Sequence, residues 1–183
     1  MYGMVNQAVR GLIIEKFGTD VWTQIHTSAQ APAQFSVMEP YDDDITYRLV
    51  TQASATLNLP PETVLHVFGQ YWVLNVATHH YASLMSSSGT DFVDFLHNLD
   101  HMHHRIRVIF PEYRPPSFRV KVLKPELLQL DYYSSRQGLL PFVTGLITGL
   151  AQHFKVSVSF EFIEDSQHKM PCKRILVHHG PLD

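Results

Sequence analysis

The sequence contains a single cysteine, Cys172, among its 183 residues. One thiol can form neither an internal disulfide nor a multi-cysteine zinc site, and a chain without disulfides is typical of a reducing cytosol. No stretch approaches the roughly 20 apolar residues that a membrane-spanning helix requires. The first residues also lack the apolar run of a signal peptide. We therefore expect a soluble, cytoplasmic protein that does not span a membrane.

The chain also lacks an excess of charge of either sign. The formal net charge is −3 and the isoelectric point is near 6.4, which gives no support for a nucleic-acid groove or for binding to an anionic membrane surface. The hydrophobic fraction of 45% is normal for a globular domain that buries a sizeable core. Twelve histidines are, in contrast, unusual at this length, and they direct attention to histidine chemistry.

The spacing of apolar residues changes near residue 110. Before it, apolar residues recur in steps of three and four, which predicts helices that include residues 5–13, 22–25, 45–57, 64–73 and 92–110. After it, alternating patterns predict strands around 118–122, 128–132, 156–162 and 175–177, with a helix at about 139–154 between the second and the third. We expect one α+β domain over 1–183, in which a helical part (1–110) packs on a part with an antiparallel sheet and a helix (111–183).

The predicted helix 92–110 carries one histidine on its apolar face. His103 lies four residues after Leu99 and three before Ile106, so its side chain is predicted to point inward. An inward imidazole needs a partner, because burying an unpaired polar group costs free energy. The ring can hydrogen-bond within the core, or it can ligate a metal such as the iron of a heme in a flat apolar cavity.

Three other histidines of this segment allow a different interpretation. His97, His101 and His104 fall toward the polar side of the predicted helix, and the first two are four residues apart. Such spacing permits a shared divalent ion, so a zinc-stabilised structural module is an alternative. Solvated surface histidines have the same pattern.

A second group of polar residues follows the predicted strand 128–132. Tyr132, Ser134 and Arg136 are spaced by two, and on an extended chain this spacing places all three side chains on one side. Two hydroxyls and a guanidinium suit carboxylates, which arginine can bind with two parallel hydrogen bonds. The two propionates of a heme would fit this set, and solvent-facing groups at a strand end are the alternative.

Six segments in order resemble the heme nitric oxide/oxygen binding (H-NOX) family, and the resemblance covers essentially the whole chain. The segments are MYGMVNQA, YDDDITYRLV, VFGQYW, FLHNLDHMHHRI, FPEYRPPSF and LDYYSSRQGL. The sequence is similar to the heme domain of the soluble guanylate cyclase β subunit and to bacterial relatives of that domain. The resemblance implies an α+β fold with a b-type heme between the helical part and the sheet-containing part.

The resemblance also implies roles for individual residues. His103 matches the proximal iron ligand of the Asn-Leu-Asp-x-x-His run. Tyr132, Ser134 and Arg136 match the Tyr-x-Ser-x-Arg motif that holds the propionates. Pro116 matches the proline that presses on the porphyrin and bends it.

The choice of gas is expected to depend on the distal side of the heme. Oxygen-binding members of the family place a hydroxyl donor there, and Phe142 matches that position. Because phenylalanine cannot donate a hydrogen bond, we expect binding of nitric oxide and carbon monoxide, and weak or absent binding of dioxygen. Trp72 is a second candidate for the distal pocket, with an indole N–H that can donate.

The implied mechanism is gas sensing by a bistable heme. In the resemblance, nitric oxide weakens the bond between the iron and His103, the histidine is released, and its helix shifts relative to the sheet. The chain contains no recognisable catalytic segment, so we expect either a signalling partner, such as a histidine kinase or a diguanylate or guanylate cyclase, or a longer protein of which this chain is a fragment. A peroxidase-like enzyme is the remaining alternative. It would need an acid–base group at the heme, for which His79 and His80 are the candidates.

Overall fold

The computed structural model describes residues 1–163 and 172–182, and it divides them as the sequence predicts. The helical part contains α1 (Gly3–Phe17), α2 (Thr19–Ser28), α3 (Asp43–Leu57), α4 (Pro61–Tyr71), a π-helical segment (Trp72–Ala77), α5 (Thr78–His80), α6 (Ala82–Ser86), α7 (Phe92–His97) and α8 (Leu99–Ile109). The second part contains β1 (Ser117–Lys124), β2 (Leu127–Tyr133), α9 (Leu140–His153), β3 (Val156–Ile163) and β4 (Cys172–Pro181). The predicted α+β class is confirmed.

Short polar residues and prolines set the helix boundaries. The Asp42 carboxylate accepts a hydrogen bond from the Asp44 N–H at 3.0 Å and begins α3. Asn58 ends that helix in the left-handed conformation, with φ of 52°. Pro61 occupies the first turn of α4, where its missing N–H breaks no helical hydrogen bond.

The segment predicted as one helix over 92–110 is two helices, and the single-helix prediction is wrong. Asn98 separates α7 from α8 with φ of −90° and ψ of 2°, and its side-chain amide donates to the Asp94 carboxylate at 3.0 Å. The apolar steps of three and four continue across this break, so periodicity alone does not reveal it. At the end of α8, Ile109 is 67% exposed, although the sequence places it on the apolar face.

The strands form one antiparallel sheet in the order β1-β2-β4-β3. The predicted strands are confirmed, and the alternation holds in the two central strands, where Leu128, Leu130, Ile175 and Val177 of one face are all 0% exposed. It is wrong at the ends of the outer strands, since Val122 is 50% exposed and Phe162 is 56% exposed. Helix α9 packs on β3, and α7 and α8 contact β1. The register places Phe118 of β1 opposite Tyr132 of β2, close to the Pro-rich segment that leads into the sheet.

Two hydrophobic cores meet at Trp72, the first residue of the π-helical segment. One core lies among α1 to α4, and the other lies between the sheet, α9, α7 and the π-helical segment. Trp72 packs against both cores. The backbones of α4 and α9 approach closely through glycines, since a Cβ atom on Gly145 would lie 2.1 Å from the His66 carbonyl oxygen. The helical and sheet-containing parts are thus in direct contact.

Within residues 1–163 and 172–182, no helix is both long enough and apolar enough to cross a membrane.

Candidate functional site

His103 points inward from α8 and lies between two aromatic rings. Its ring centroid is 6.0 Å from that of Tyr113, edge to face, and 5.9 Å from that of Phe118. The Nδ1 atom is buried and has no hydrogen-bond partner in the described part of the chain. Its neighbours His101 and His104 are exposed. The structure therefore separates one inward histidine from the others, as the apolar face of the segment predicts.

Burial keeps the His103 imidazole neutral. Loss of solvation lowers the pKa of His103, while the Asp100 carboxylate and the Pro116 carbonyl act in the opposite direction. The contact with the Pro116 carbonyl does not satisfy Nδ1 as a hydrogen bond. A neutral imidazole keeps a free lone pair, which is the form that ligates a metal ion.

Asp100 connects the histidine helix to the sheet. Its carboxylate accepts hydrogen bonds from the Ser117 hydroxyl and from the Phe118 N–H, both at 2.7 Å. Both donors begin β1, directly after Pro116. The position of His103 relative to Pro116 and Phe118 is therefore held by two hydrogen bonds of one side chain.

The geometry does not support the two alternatives to a heme sensor, which were a zinc site and a peroxidase-like site. His97, His101 and His104 are all exposed, and the residues that the structure describes include no group of three or more His, Cys, Asp or Glu side chains that could hold a metal ion. His79 and His80 are exposed on α5, and the His79 ring contacts the neighbouring Thr78 hydroxyl at 3.1 Å.

Tyr132, Ser134 and Arg136 come together, but not in the predicted way. Strand β2 ends at Tyr133, so the expectation that all three lie on one side of an extended strand is wrong. The chain instead turns after the strand, and the Ser134 hydroxyl accepts a hydrogen bond from the Arg136 N–H at 3.0 Å. Tyr132 is buried, and the Ser134 side chain lies at its hydroxyl. A turn stabilised by the Ser134 hydroxyl, and not an extended strand, therefore brings Tyr132, Ser134 and Arg136 together.

Arg136 is bound by an acidic residue that the sequence analysis missed. Its Nε and Nη2 atoms donate to the Asp43 carboxylate at 2.7 and 3.3 Å, and its Nη1 atom donates to the Arg114 carbonyl at 2.6 Å. Because a guanidinium has five N–H donors and these bonds use three, two remain for a ligand. The contact joins residues 93 positions apart, for which the sequence carries no local signal.

Asp43 is held in its charged form. Partial burial acts to raise the pKa of Asp43, but hydrogen bonds from Arg136 and from the Met1 amino group outweigh it and hold the pKa below the usual range. The carboxylate lies at the first residue of α3, and Arg136 follows β2. This ion pair therefore links the helical part to the sheet-containing part.

Tyr113 is a second residue that the sequence analysis missed. It lies in the Pro-rich segment between α8 and β1, where no periodic pattern indicates which side chains face inward. Its ring contacts His103, and burial raises the pKa of its hydroxyl to about 12. Pro116, in the same segment, places its carbonyl at the His103 ring.

Trp72 and Phe142 belong to one aromatic group between α4 and α9. The Phe142 ring stacks on Phe68 with centroids 5.0 Å apart, and Phe68 meets Trp72 edge to face at 6.5 Å. Phe142 has no polar atom in its side chain. The Trp72 indole makes no hydrogen bond to another described residue, so its N–H remains available as a donor.

The residues of this region fit a heme. A neutral inward imidazole with an unpaired nitrogen is a typical axial ligand of heme iron. The aromatic rings around it can border a flat apolar group. Arg136, with two free N–H donors, and Tyr132 beside it supply groups that bind carboxylates.

Comparisons with known proteins agree with this chemistry. The sequence model described as "Haem-NO-binding" matches residues 2–162. Soluble guanylate cyclase gcy-35 of Caenorhabditis elegans is 31% identical over 83% of this chain, and the match covers 23% of that protein. Soluble guanylate cyclase gcy-37 of the same organism is 28% identical over 92% of this chain and 25% of its own length. The chain thus spans about a quarter of the length of these relatives.

Solved structures show the same fold. An H-NOX protein from S. oneidensis, in an Fe(II) state of a triple mutant, superposes with a TM-score of 0.87 at 20% identity, over 98% of this chain and 96% of that one. Its Fe(II)NO state gives a TM-score of 0.85 over 98% and 99% of the two chains, also at 20% identity. H-NOX domains are heme-binding gas-sensor domains, and the cyclase activity of their relatives lies in other domains. The chain belongs to the Haem-NO-binding family, whose members are the H-NOX domains.

Proposed function

We propose that this chain senses nitric oxide through a b-type heme whose iron is ligated by His103. The observation that carries the proposal is the His103 imidazole, which points inward, is kept neutral by burial, and has no hydrogen-bond partner for Nδ1 among the described residues. Histidines elsewhere on the same helix are exposed. The iron would supply a coordination position to which a diatomic gas can bind.

The porphyrin would be held by residues on both sides of His103. Tyr132, Ser134 and Arg136 would bind its propionates, and Arg136 would do so while Asp43 keeps its guanidinium oriented. Pro116, next to the imidazole, would press against the porphyrin plane. Residues 1–183 would form one domain, since α4 and α9 touch through their backbones.

We assign selectivity for nitric oxide to the aromatic group formed by Phe68, Trp72 and Phe142. Phe142 has no hydrogen-bond donor, so dioxygen would lack the stabilisation that a distal hydroxyl gives. Loss of one hydrogen bond worth about 1 kcal/mol lowers affinity roughly fivefold, and bonds to a charged acceptor are worth more. Nitric oxide and carbon monoxide depend less on such a bond. The Trp72 N–H is the other donor in this group, and a Trp72→Phe variant would reveal its contribution to ligand rates.

We further propose that His103 moves when the gas binds and that α8 transmits the movement. Asp100 joins α8 to the start of β1, so a shift of His103 relative to Pro116 would change the angle between helix and sheet. A partner that distinguishes the two positions would read the signal. A cytoplasmic histidine kinase, diguanylate cyclase or guanylate cyclase is the proposed class, and this chain itself would have no catalytic activity.

Anaerobic absorption spectroscopy tests this function. The protein reconstituted with heme and reduced is exposed in turn to nitric oxide, carbon monoxide and dioxygen. We expect a five-coordinate ferrous spectrum, marked shifts with the first two gases, and little change with dioxygen. A colourless protein that retains zinc, or a reaction cycle with peroxide, would contradict the proposal and favour one of the alternative functions.

A further inference from the structure

The hydroxyl of Tyr113, unlike those of the other tyrosines, has no hydrogen-bond partner in the described part of the chain. The sequence has eight tyrosines, and seven of their hydroxyls have a hydrogen-bond partner in the described part of the chain. The partners are the Glu112 N–H for Tyr2, Ser36 and Glu39 for Tyr41, the Gln137 carbonyl for Tyr47, Glu15 for Tyr71, Met4 for Tyr81, Ser134 for Tyr132 and Cys172 for Tyr133. For Tyr113 there is none among the described residues. Tyr113 is half-buried, and its hydroxyl is not among the fully buried unpaired atoms of the described residues, so it is accessible to a ligand.

The surroundings of Tyr113 suggest what that partner is. The Tyr113 N–H donates to the Phe110 carbonyl at 2.9 Å in the turn that follows α8, which fixes the backbone. Its ring meets the His103 ring at an interplanar angle of 74°. The carbonyl of the next residue, Arg114, accepts a hydrogen bond from Arg136 at 2.6 Å. The Tyr113 ring therefore contacts the imidazole, and the residue that follows Tyr113 in the chain accepts a hydrogen bond from Arg136.

Tyr113 contacts the imidazole directly, whereas Tyr132 lies one ring further away. Tyr132 reaches His103 through Phe118, because its ring stacks on Phe118 at 5.5 Å and Phe118 contacts the imidazole. The charge of Arg136 acts on both tyrosine hydroxyls. Only Tyr132, however, belongs to the motif identified in the sequence.

We propose that the Tyr113 hydroxyl is a further donor to a propionate of the bound porphyrin, in addition to Tyr132, Ser134 and Arg136. The inference rests on the proposed heme function. Two ionised carboxylates offer about eight acceptor positions, whereas Arg136 has two N–H groups left after Asp43 and Arg114 are bound. A hydroxyl without a protein partner, beside the ligating imidazole, supplies one of the missing donors.

The test compares Tyr113→Phe with the wild-type protein, using two forms of heme. The first is protoheme, and the second is its dimethyl ester, in which both propionates are neutral. Loss of heme is followed after addition of an excess of a heme-scavenging apoprotein. We expect Tyr113→Phe to lose protoheme roughly 10-fold faster than the wild type, since the bond is made to a charged group. The two proteins should lose the dimethyl ester at similar rates, because the neutral ester is a much weaker acceptor.

Tyr71→Phe is the matched control. It removes a hydroxyl whose partner is Glu15 of α1, so both hemes should dissociate as they do from the wild type. A second readout uses heme-free protein: the urea midpoint of Tyr113→Phe should equal that of the wild type, because the hydroxyl has no protein partner to lose.

Several results would overturn the inference. Equal protoheme rates for Tyr113→Phe and the wild type, or the same acceleration with both hemes, would show that the hydroxyl does not donate to a propionate. A lower urea midpoint of the heme-free variant would assign the hydroxyl to a protein partner instead. A wild-type protein that binds no heme would contradict the proposed function itself, so the two failures are distinguishable.

Discussion

Replacing Asp43 by asparagine should weaken the contact between the helical and sheet-containing parts. The carboxylate accepts two hydrogen bonds from Arg136, at 2.7 and 3.3 Å, and one from the Met1 amino group. Hydrogen bonds to charged groups contribute about 1.5–3 kcal/mol each, but the Asp43 side chain is 34% exposed and that of Arg136 is 19% exposed. Solvent screening and the oxygen that asparagine retains reduce the effect to about 1–2 kcal/mol of unfolding free energy at neutral pH.

The effect should depend on pH in a defined direction. The folded-state pKa of Asp43 lies below the usual value of 3.8, so the unfolded state binds the proton more readily. The stabilisation is therefore complete above the usual pKa and is lost as the pH falls through the folded value. Urea unfolding of the heme-free protein at pH 7, 5 and 3.5 should give a constant difference between wild type and Asp43→Asn at the first two values and a smaller one at the third.

Asp20→Asn is the control for this experiment. Asp20 is exposed in the first turn of α2, so the variant makes the same change of charge at a comparable helix position without removing the ion pair with Arg136. Equal destabilisation by Asp43→Asn and Asp20→Asn would refute the reasoning. A difference that grows rather than shrinks in acid would refute it as well.

Two further predictions concern helix packing and the choice of gas. Gly145→Ala should lower the unfolding free energy by about 2 kcal/mol or more, because the new methyl group would lie 2.1 Å from the His66 carbonyl oxygen. Gly180→Ala, whose nearest contact would be at 3.7 Å, should stay within about 0.5 kcal/mol, and similar urea midpoints for the two variants would contradict the packing. Phe142→Tyr, measured by gas titration of the reconstituted protein, should increase dioxygen affinity about fivefold or more and change carbon monoxide affinity less; an unchanged ratio of the two affinities would contradict the role of Phe142.

The fold was largely predictable because its signals are local. Alternation in 128–132 depends on one face being buried, and Leu128 and Leu130 are indeed fully buried, whereas in 118–122 the pattern continues to Val122, which is exposed. The inward direction of His103 follows from the same kind of pattern. Periodicity failed at Asn98, because apolar steps of three and four continue through a residue whose backbone leaves the helix.

The site was predictable only in part, since its remaining contacts join distant parts of the chain. Asp43 and Arg136 are 93 residues apart, and each also has an ordinary local role, at a helix start and after a strand. Tyr113 lies in a segment without periodicity, so its contact with His103 depends on how the Pro-rich segment folds back on α8. The turn at Ser134 could not be predicted from the sequence, because a spacing of two residues is equally compatible with an extended strand.

The most direct test of the ligation by His103 is the absorption spectrum of His103→Gly, reconstituted with heme and reduced without oxygen. The glycine variant should lose the five-coordinate ferrous spectrum and the heme, and added imidazole, which can occupy the space of the missing ring, should restore both. His104→Gly, which removes an exposed histidine of the same helix, should resemble the wild type. Retention of the wild-type spectrum and of its shift with nitric oxide by His103→Gly, without imidazole, would contradict the account.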